Sequence, residues 1–163
     1  WLIGMEEGTP YFYFQQRSFQ KKDFPGFYEI GSTGHMDPGE TPEESALRET
    51  WEEIGLTMNR DALSFLGKLR EKDEVGTFYN DEICNIFLYE QQGMLFHLGE
   101  EVEQMVRIPV RDYIDWYNSE ENMISAFKET GESIQIPRNQ WCNHENEVEL
   151  LVLPELRRRG YLV

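Results

Sequence analysis

The sequence is short of cysteine, of histidine and of positive charge. Two cysteines in 163 residues, Cys84 and Cys142, are too few for a disulfide framework and stand at no metal-ligand spacing. They read as free thiols of a reducing cytoplasm. No apolar run approaches the ~20 residues a membrane-spanning helix needs, so no membrane partner is expected. Lysine and arginine number 15 against 31 aspartates and glutamates, a formal charge of −16. Such a surface repels polyanions and argues against a nucleic acid polymer as partner. Linkers, repeats and low-complexity tracts are also lacking, so residues 1–163 are expected to form a single domain.

What the chain does have is a core: 39% of its residues are apolar and 13% aromatic. Tyr11 to Gln16 is aromatic-rich and reads as a strand, and Phe27 to Thr33 as a second. The clearest helix follows. Thr41 suits the N-cap, Pro42 the first helical position, and Glu44 completes a capping box. Ala46, Leu47, Thr50 or Trp51, and Ile54 recur at helical spacing and should face the core, and Gly55 is the natural stop. Ala62 to Arg70, Glu82 to Gln91 and Val106 to Val110 read as strands. Asp112 to Glu129 reads as a helix broken near Asn118 and Ser119, and Pro154 to Arg159 as a short terminal helix. Strands interleaved with a few helices predict a mixed sheet flanked by helices, an α/β layered fold.

Glu49, Glu52 and Glu53 stand at i, i+3 and i+4 and therefore share one helix face. Like charges so placed oppose helix formation by a few tenths of a kcal/mol per pair. Hard divalent cations such as Mg²⁺ and Mn²⁺ give a reason to gather them, since they take oxygen ligands. An exposed acidic helix face would look the same, so these three residues by themselves leave both readings open.

The wider stretch GHMDPGETPEESALRETWEEIGL, Gly34 to Leu56, resembles the Nudix box G-x5-E-x7-R-E-U-x-E-E-x-G-U, where U is a bulky aliphatic residue. Gly34, Glu40, Arg48, Glu49, Glu52, Glu53 and Gly55 fall on its fixed letters, and Thr50 departs from the first U. At roughly 7% usage per residue type, seven fixed letters coincide about once in 10⁸ start points. The resemblance implies an α/β/α sandwich and a Mg²⁺- or Mn²⁺-dependent hydrolase of a small diphosphate. It implies Glu49, Glu52, Glu53 and the Gly34 carbonyl as metal ligands, and an Arg48–Glu40 ion pair holding the loop to the helix. Glu52 is the default residue to activate water; Glu101, outside the box in HLGEEV, is the alternative.

The segment before the box, Arg17 to Glu40, resembles type I isopentenyl diphosphate isomerases, a branch of the same superfamily. Arg17, Lys21, Pro25-Gly26, Tyr28 and Gly34-His35 carry the likeness, and Asp81-Glu82-Ile83 resembles that family's acidic strand. It implies that Arg17, Lys21 and Glu82 contact the substrate, and raises His35 as a metal ligand beside its plainer reading as a surface residue. Thr33 stands where the isomerases place a catalytic cysteine, and a hydroxyl is far less acidic than a thiol. Hydrolysis is therefore the leading expectation, with isomerase chemistry and a non-catalytic ligand-binding module as the alternatives. His97, His144 and Cys142 stand at no convincing metal spacing. Arg157 to Arg159 reads as a solvated helix end, and a homodimer is the base-rate expectation.

Overall fold

The computed structural model describes residues 1–142 and 144–162. Its strands are β1 (Leu2–Glu6), β2 (Thr9–Arg17), β3 (Tyr28–Ile30), β4 (Leu63–Val75), β5 (Phe78–Gln92), β6 (Val102–Pro109), β7 (Met123–Lys128) and β8 (Ser133–Pro137). Helix α1 (Pro42–Ile54) falls between β3 and β4, and α2 (Val110–Tyr117) directly follows β6. A final helical run comprises α3 (Glu145–Glu147), a π-wound turn (Val148–Val152) and α4 (Leu153–Arg158). The strands form one sheet in the order β4-β5-β1-β2-β6-β7-β8, with β3 paired to β2. The β1–β5 pair is parallel and the others are antiparallel, so the sheet is mixed as expected.

The aromatic run of β2 follows from its central place. A strand covered on both faces needs apolar side chains on both. Phe12 and Phe14 point to one core with Ile3, Ile108, Tyr113 of α2 and Val152 of the terminal run. Tyr13, between them, points to the opposite core with Leu2, Ile54 and Leu56 of the α1 end, and Met105. The layers are thus helix, sheet, helix.

Helix α1 begins as its sequence directs. Thr41 Oγ1 accepts from Glu44 N, and the Glu44 carboxylate accepts from Thr41 N. Gly55 closes it at φ +64, a left-handed conformation that glycine alone adopts freely. Its inward face matches the expected one at Thr50 and Ile54 and differs elsewhere. Ser45, Thr50, Glu53 and Ile54 are buried, while Trp51 is 62% exposed. The threonine is tolerated inside because Thr50 Oγ1 donates to Ala46 O at 2.7 Å.

The structure corrects the sequence reading in three further places. The helix expected to reach Glu129 stops at Tyr117, and Met123–Lys128 is strand β7. Asn118 Nδ2 donates to Ile114 O and Ser119 Oγ to Trp116 O, ending the helix locally. Beyond them Ile124 and Ala126 alternate inward, a two-residue period too short to stand out from a helical one. Strands β1 and β8 were not expected at all. Finally, Arg159 is not a solvated helix end: it donates to Glu90, Ser64 and Glu155, pinning the terminal run to β4 and β5.

Candidate active site

The loop before α1 and the helix itself meet through Arg48. Its Nε donates to Glu40 Oε1 at 2.7 Å and its Nη2 to Glu40 Oε2 at 2.9 Å, a two-pronged pair. Nη2 also donates to His35 O, and Nη1 donates to Glu49 Oε1 at 2.8 Å and to Glu52 Oε2 at 3.0 Å. One guanidinium therefore ties the loop to the helix and offsets repulsion among three carboxylates. Hydrogen bonding from Arg48 and from Asp37 N holds the Glu40 carboxyl down at about 2.

Gly34 and Glu49 are brought into direct contact. A Cβ built on Gly34 would stand 2.1 Å from Glu49 Cδ, so only glycine leaves room for that carboxylate against the loop backbone. Glu53 points inward. Its Oε2 accepts from Gln15 Nε2 at 3.0 Å, Ser32 Oγ at 2.8 Å and Thr33 N at 3.1 Å. Burial pushes its carboxyl up to about 7; the Ser32 hydrogen bond opposes this and the neighbouring Glu29 adds to it. The donors available here are carboxylates from successive turns of one helix and a loop backbone. That all-oxygen set, with a cradle cut to admit Glu49, fits a hard divalent cation.

The second loop of the site is fixed to the end of α1. His97 N donates to Ile54 O and Gly99 N to Glu53 O. A Cβ on Gly99 would meet Glu52 O at 2.5 Å, so this loop also needs its glycine to lie so close. The contact carries Glu101 to the helix end that bears Glu52 and Glu53. Ser18 N donates to Glu101 O, and Lys21 Nζ pairs with the Glu101 carboxylate. Two residues expected in different roles thus form one ion pair. Arg17 has its donors engaged: Nη1 on Glu29 Oε1 at 2.8 Å, Nε and Nη2 on Asp23 O. Glu82 on β5 accepts from Asn80 Nδ2 and lies 3.6 Å from the exposed His35 ring.

Beside Glu29 opens a cavity of about 150 Å³, walled by Phe14, Tyr113, Trp116, Trp141 and His144. Sequence reasoning did not find Gln15, Ser32 or Glu29. Gln15 and Glu29 are polar residues inside apolar strands, almost fully buried, and a buried polar residue in a strand is the signal that could have flagged them.

Residues 2–134 match the family model for the NUDIX domain. The chain belongs to that family. It is 28% identical over 93 residues to an uncharacterised Nudix hydrolase of Clostridium acetobutylicum, covering 57% of this chain and 45% of that one. It is also 28% identical over 120 residues to the isopentenyl-diphosphate Delta-isomerase 1 of Photorhabdus laumondii, covering 71% of this chain and 66% of the relative. The chain thus spans about half the length of the Clostridium protein. Among solved structures, a MutT/nudix family protein from Enterococcus faecalis superposes with a TM-score of 0.60 at 16% identity, over 83% of this chain and 48% of that one. The mixed sheet between helical layers is the architecture of that neighbour. Among the described residues no helix is long and apolar enough to cross a membrane.

Proposed function

We propose that this chain is a Mg²⁺- or Mn²⁺-dependent hydrolase that cleaves the phosphoanhydride bond of a small nucleoside or organic diphosphate. The observation that carries the reading is the Glu49 carboxylate seated against Gly34, with Glu52 and Glu53 on the same helix and Arg48 bridging Glu49 and Glu52. Glu49, Glu52, Glu53 and the Gly34 carbonyl would hold the ion. Once bound, a divalent cation neutralises the charge that develops on diphosphate oxygens as water attacks phosphorus.

The protein's own groups supply the rest. Glu52 is half-exposed, so its carboxylate has access to solvent water and can take a proton from it. Glu101 stands ready for the same task, since a diphosphate that draws Lys21 away would free its carboxylate from the ion pair. Arg17, Lys21 and Glu82 are assigned to substrate contact, and Arg48 with Glu40 to support of the loop. Residues 1–163 are taken as one Nudix domain, with a homodimer as the expected assembly. A reducing cytoplasm suits the two free cysteines.

The test is phosphate release from a panel of diphosphates with Mg²⁺ or Mn²⁺, comparing the native chain with Glu52→Gln and Glu101→Gln. Loss of turnover by orders of magnitude in Glu52→Gln, with the fold intact, supports the reading. Full activity in both variants overturns it.

A second reading, isomerisation of isopentenyl diphosphate, is favoured by the Photorhabdus relative and opposed by Thr33. Incubation with that substrate separates the two, because hydrolysis releases phosphate and isomerisation does not. Calorimetric binding of a diphosphate with no product after long incubation would point instead to a non-catalytic module.

A further inference from the structure

Glu71 on β4 and Glu147 at the end of α3 meet His144 well away from the box in sequence. His144 Nδ1 lies 3.4 Å from Glu147 Oε1 and 4.0 Å from Glu71 Oε1. One ligand atom from each residue falls within 4.8 Å of the other two. Glu147 is 2% exposed, and its other oxygen accepts from Trp1 Nε1 at 2.7 Å. Both ring nitrogens of His144 are shut off from solvent, and their approaches to Glu147 and Glu71, at 3.4 and 4.0 Å, are longer than a well-made hydrogen bond. A buried imidazole held only by such loose contacts is costly, because its nitrogens have given up water for nothing of equal strength.

Charge points the same way. Two carboxylates face one imidazole here, and Glu82 and Cys84 stand beside Glu71 in a second compact set. The Glu71 and Glu147 side chains are only 13% and 2% exposed, so their charged forms are penalised by burial and by each other. A divalent cation with a neutral imidazole balances them and gives both carboxylates and a ring nitrogen a ligand bond. The spacing suits it. Ligand atoms at about 2.0–2.2 Å from a tetrahedral ion lie about 3.4 Å apart, the distance His144 and Glu147 already keep. Glu71 needs to close by a few tenths of an ångström. His144 also walls the aromatic cavity, which supplies a path for entry.

We propose that Glu71, His144 and Glu147 form a second metal site, separate from the carboxylate helix, that takes Zn²⁺ or a similar first-row transition ion. The nitrogen donor, with the Cys84 thiol within reach of Glu71, selects such an ion over Mg²⁺, which takes oxygen ligands. The site joins β4 to the terminal helical run, so the ion would lock that run to the sheet as Arg159 does at its far end.

The experiment uses the full chain in excess Mg²⁺, which fills the oxygen ligands of α1. Co²⁺ is then titrated as a spectroscopic stand-in for Zn²⁺, and imidazole ¹H–¹⁵N spectra are recorded with and without Zn²⁺. We expect one Co²⁺ per chain with visible ligand-field bands, displaced by one Zn²⁺. Zn²⁺ should shift the ring nitrogens of His144 and leave those of His35 and His97 in place. His144→Gln and Glu71→Gln should each weaken Co²⁺ binding at least tenfold, while Glu52→Gln should not. Unchanged binding in Glu71→Gln, or a His144 ring that stays protonated in excess Zn²⁺, overturns the site and leaves a buried ion pair only. If His144→Gln does not fold, Glu71→Gln and the spectra of the native chain decide.

Discussion

The Glu49 carboxylate lies so close to Gly34 that a Cβ on residue 34 would stand 2.1 Å from Glu49 Cδ. Gly34→Ala must therefore push Glu49 away or move the loop. The Glu53 and Arg48 contacts hold the loop, so the carboxylate is the part that yields. Displacement of one ligand by about 1 Å is enough to cost on the order of 10²-fold in turnover. We expect that loss in kcat, with circular dichroism unchanged. A Gly34→Ala variant of native activity would show that Glu49 is not needed at this position.

Arg48 holds Glu40, Glu49 and Glu52 together, and its removal leaves all three repelling one another. Arg48→Ala should lower the melting temperature at neutral pH and weaken Mg²⁺ binding. The effect has a pH signature. Glu40 has a folded-state pKa held down to about 2 by Arg48, below an unfolded value of about 4.3. A depressed carboxyl contributes stability that is fully present above the unfolded value and is lost as pH falls toward the folded one. The stability gap between native chain and variant should be constant above about pH 5 and shrink between there and about pH 2. A gap independent of pH would rule out the Glu40 pair as its source.

Gln15 is 1% exposed, and its amide donates to Glu53. Gln15→Ala removes that donor, opens a void in the central strand and leaves a buried carboxylate with one partner fewer. We expect a cost of about 2–4 kcal/mol, read as a lower urea midpoint with an unchanged slope. Gln15→Glu should be worse, since it sets a second acid against Glu53.

Cys84 is a thiol whose ionisation is suppressed, first by burial and then by Glu71, Glu82 and Glu147. The thiolate is the nucleophile, so Cys84 should react with iodoacetamide at pH 8 far more slowly than a small free thiol. Mass spectrometry of the digested protein reads this directly. Fast alkylation of Cys84 in the folded chain would contradict the surroundings described for it.

The features legible in the sequence are those that neighbouring residues determine. Thr41, Glu44 and Gly55 bound α1 because caps act within a turn of the backbone. The shared face of Glu49, Glu52 and Glu53 follows from helical pitch alone, and the Arg48–Glu40 pair spans one loop and two turns. The Asp112 to Glu129 reading failed at Met123 because a six-residue strand holds too few alternations to outweigh a helical pattern. The sequence left Thr50 and Trp51 as alternatives for the inward position; Thr50 occupies it and satisfies its own hydroxyl within the helix.

By itself, then, the sequence determined the carboxylate helix, its ends and the family to which it belongs, since each depends on spacing along one continuous segment. Only the tertiary structure decided what surrounds it. Gln15 and Ser32 reach Glu53, Lys21 meets Glu101, and His144 comes to Glu71 because helix α1, the loops and the terminal run are packed against strands distant from them in sequence. Such contacts depend on register and strand order. Long-range packing sets both, and no local pattern records them.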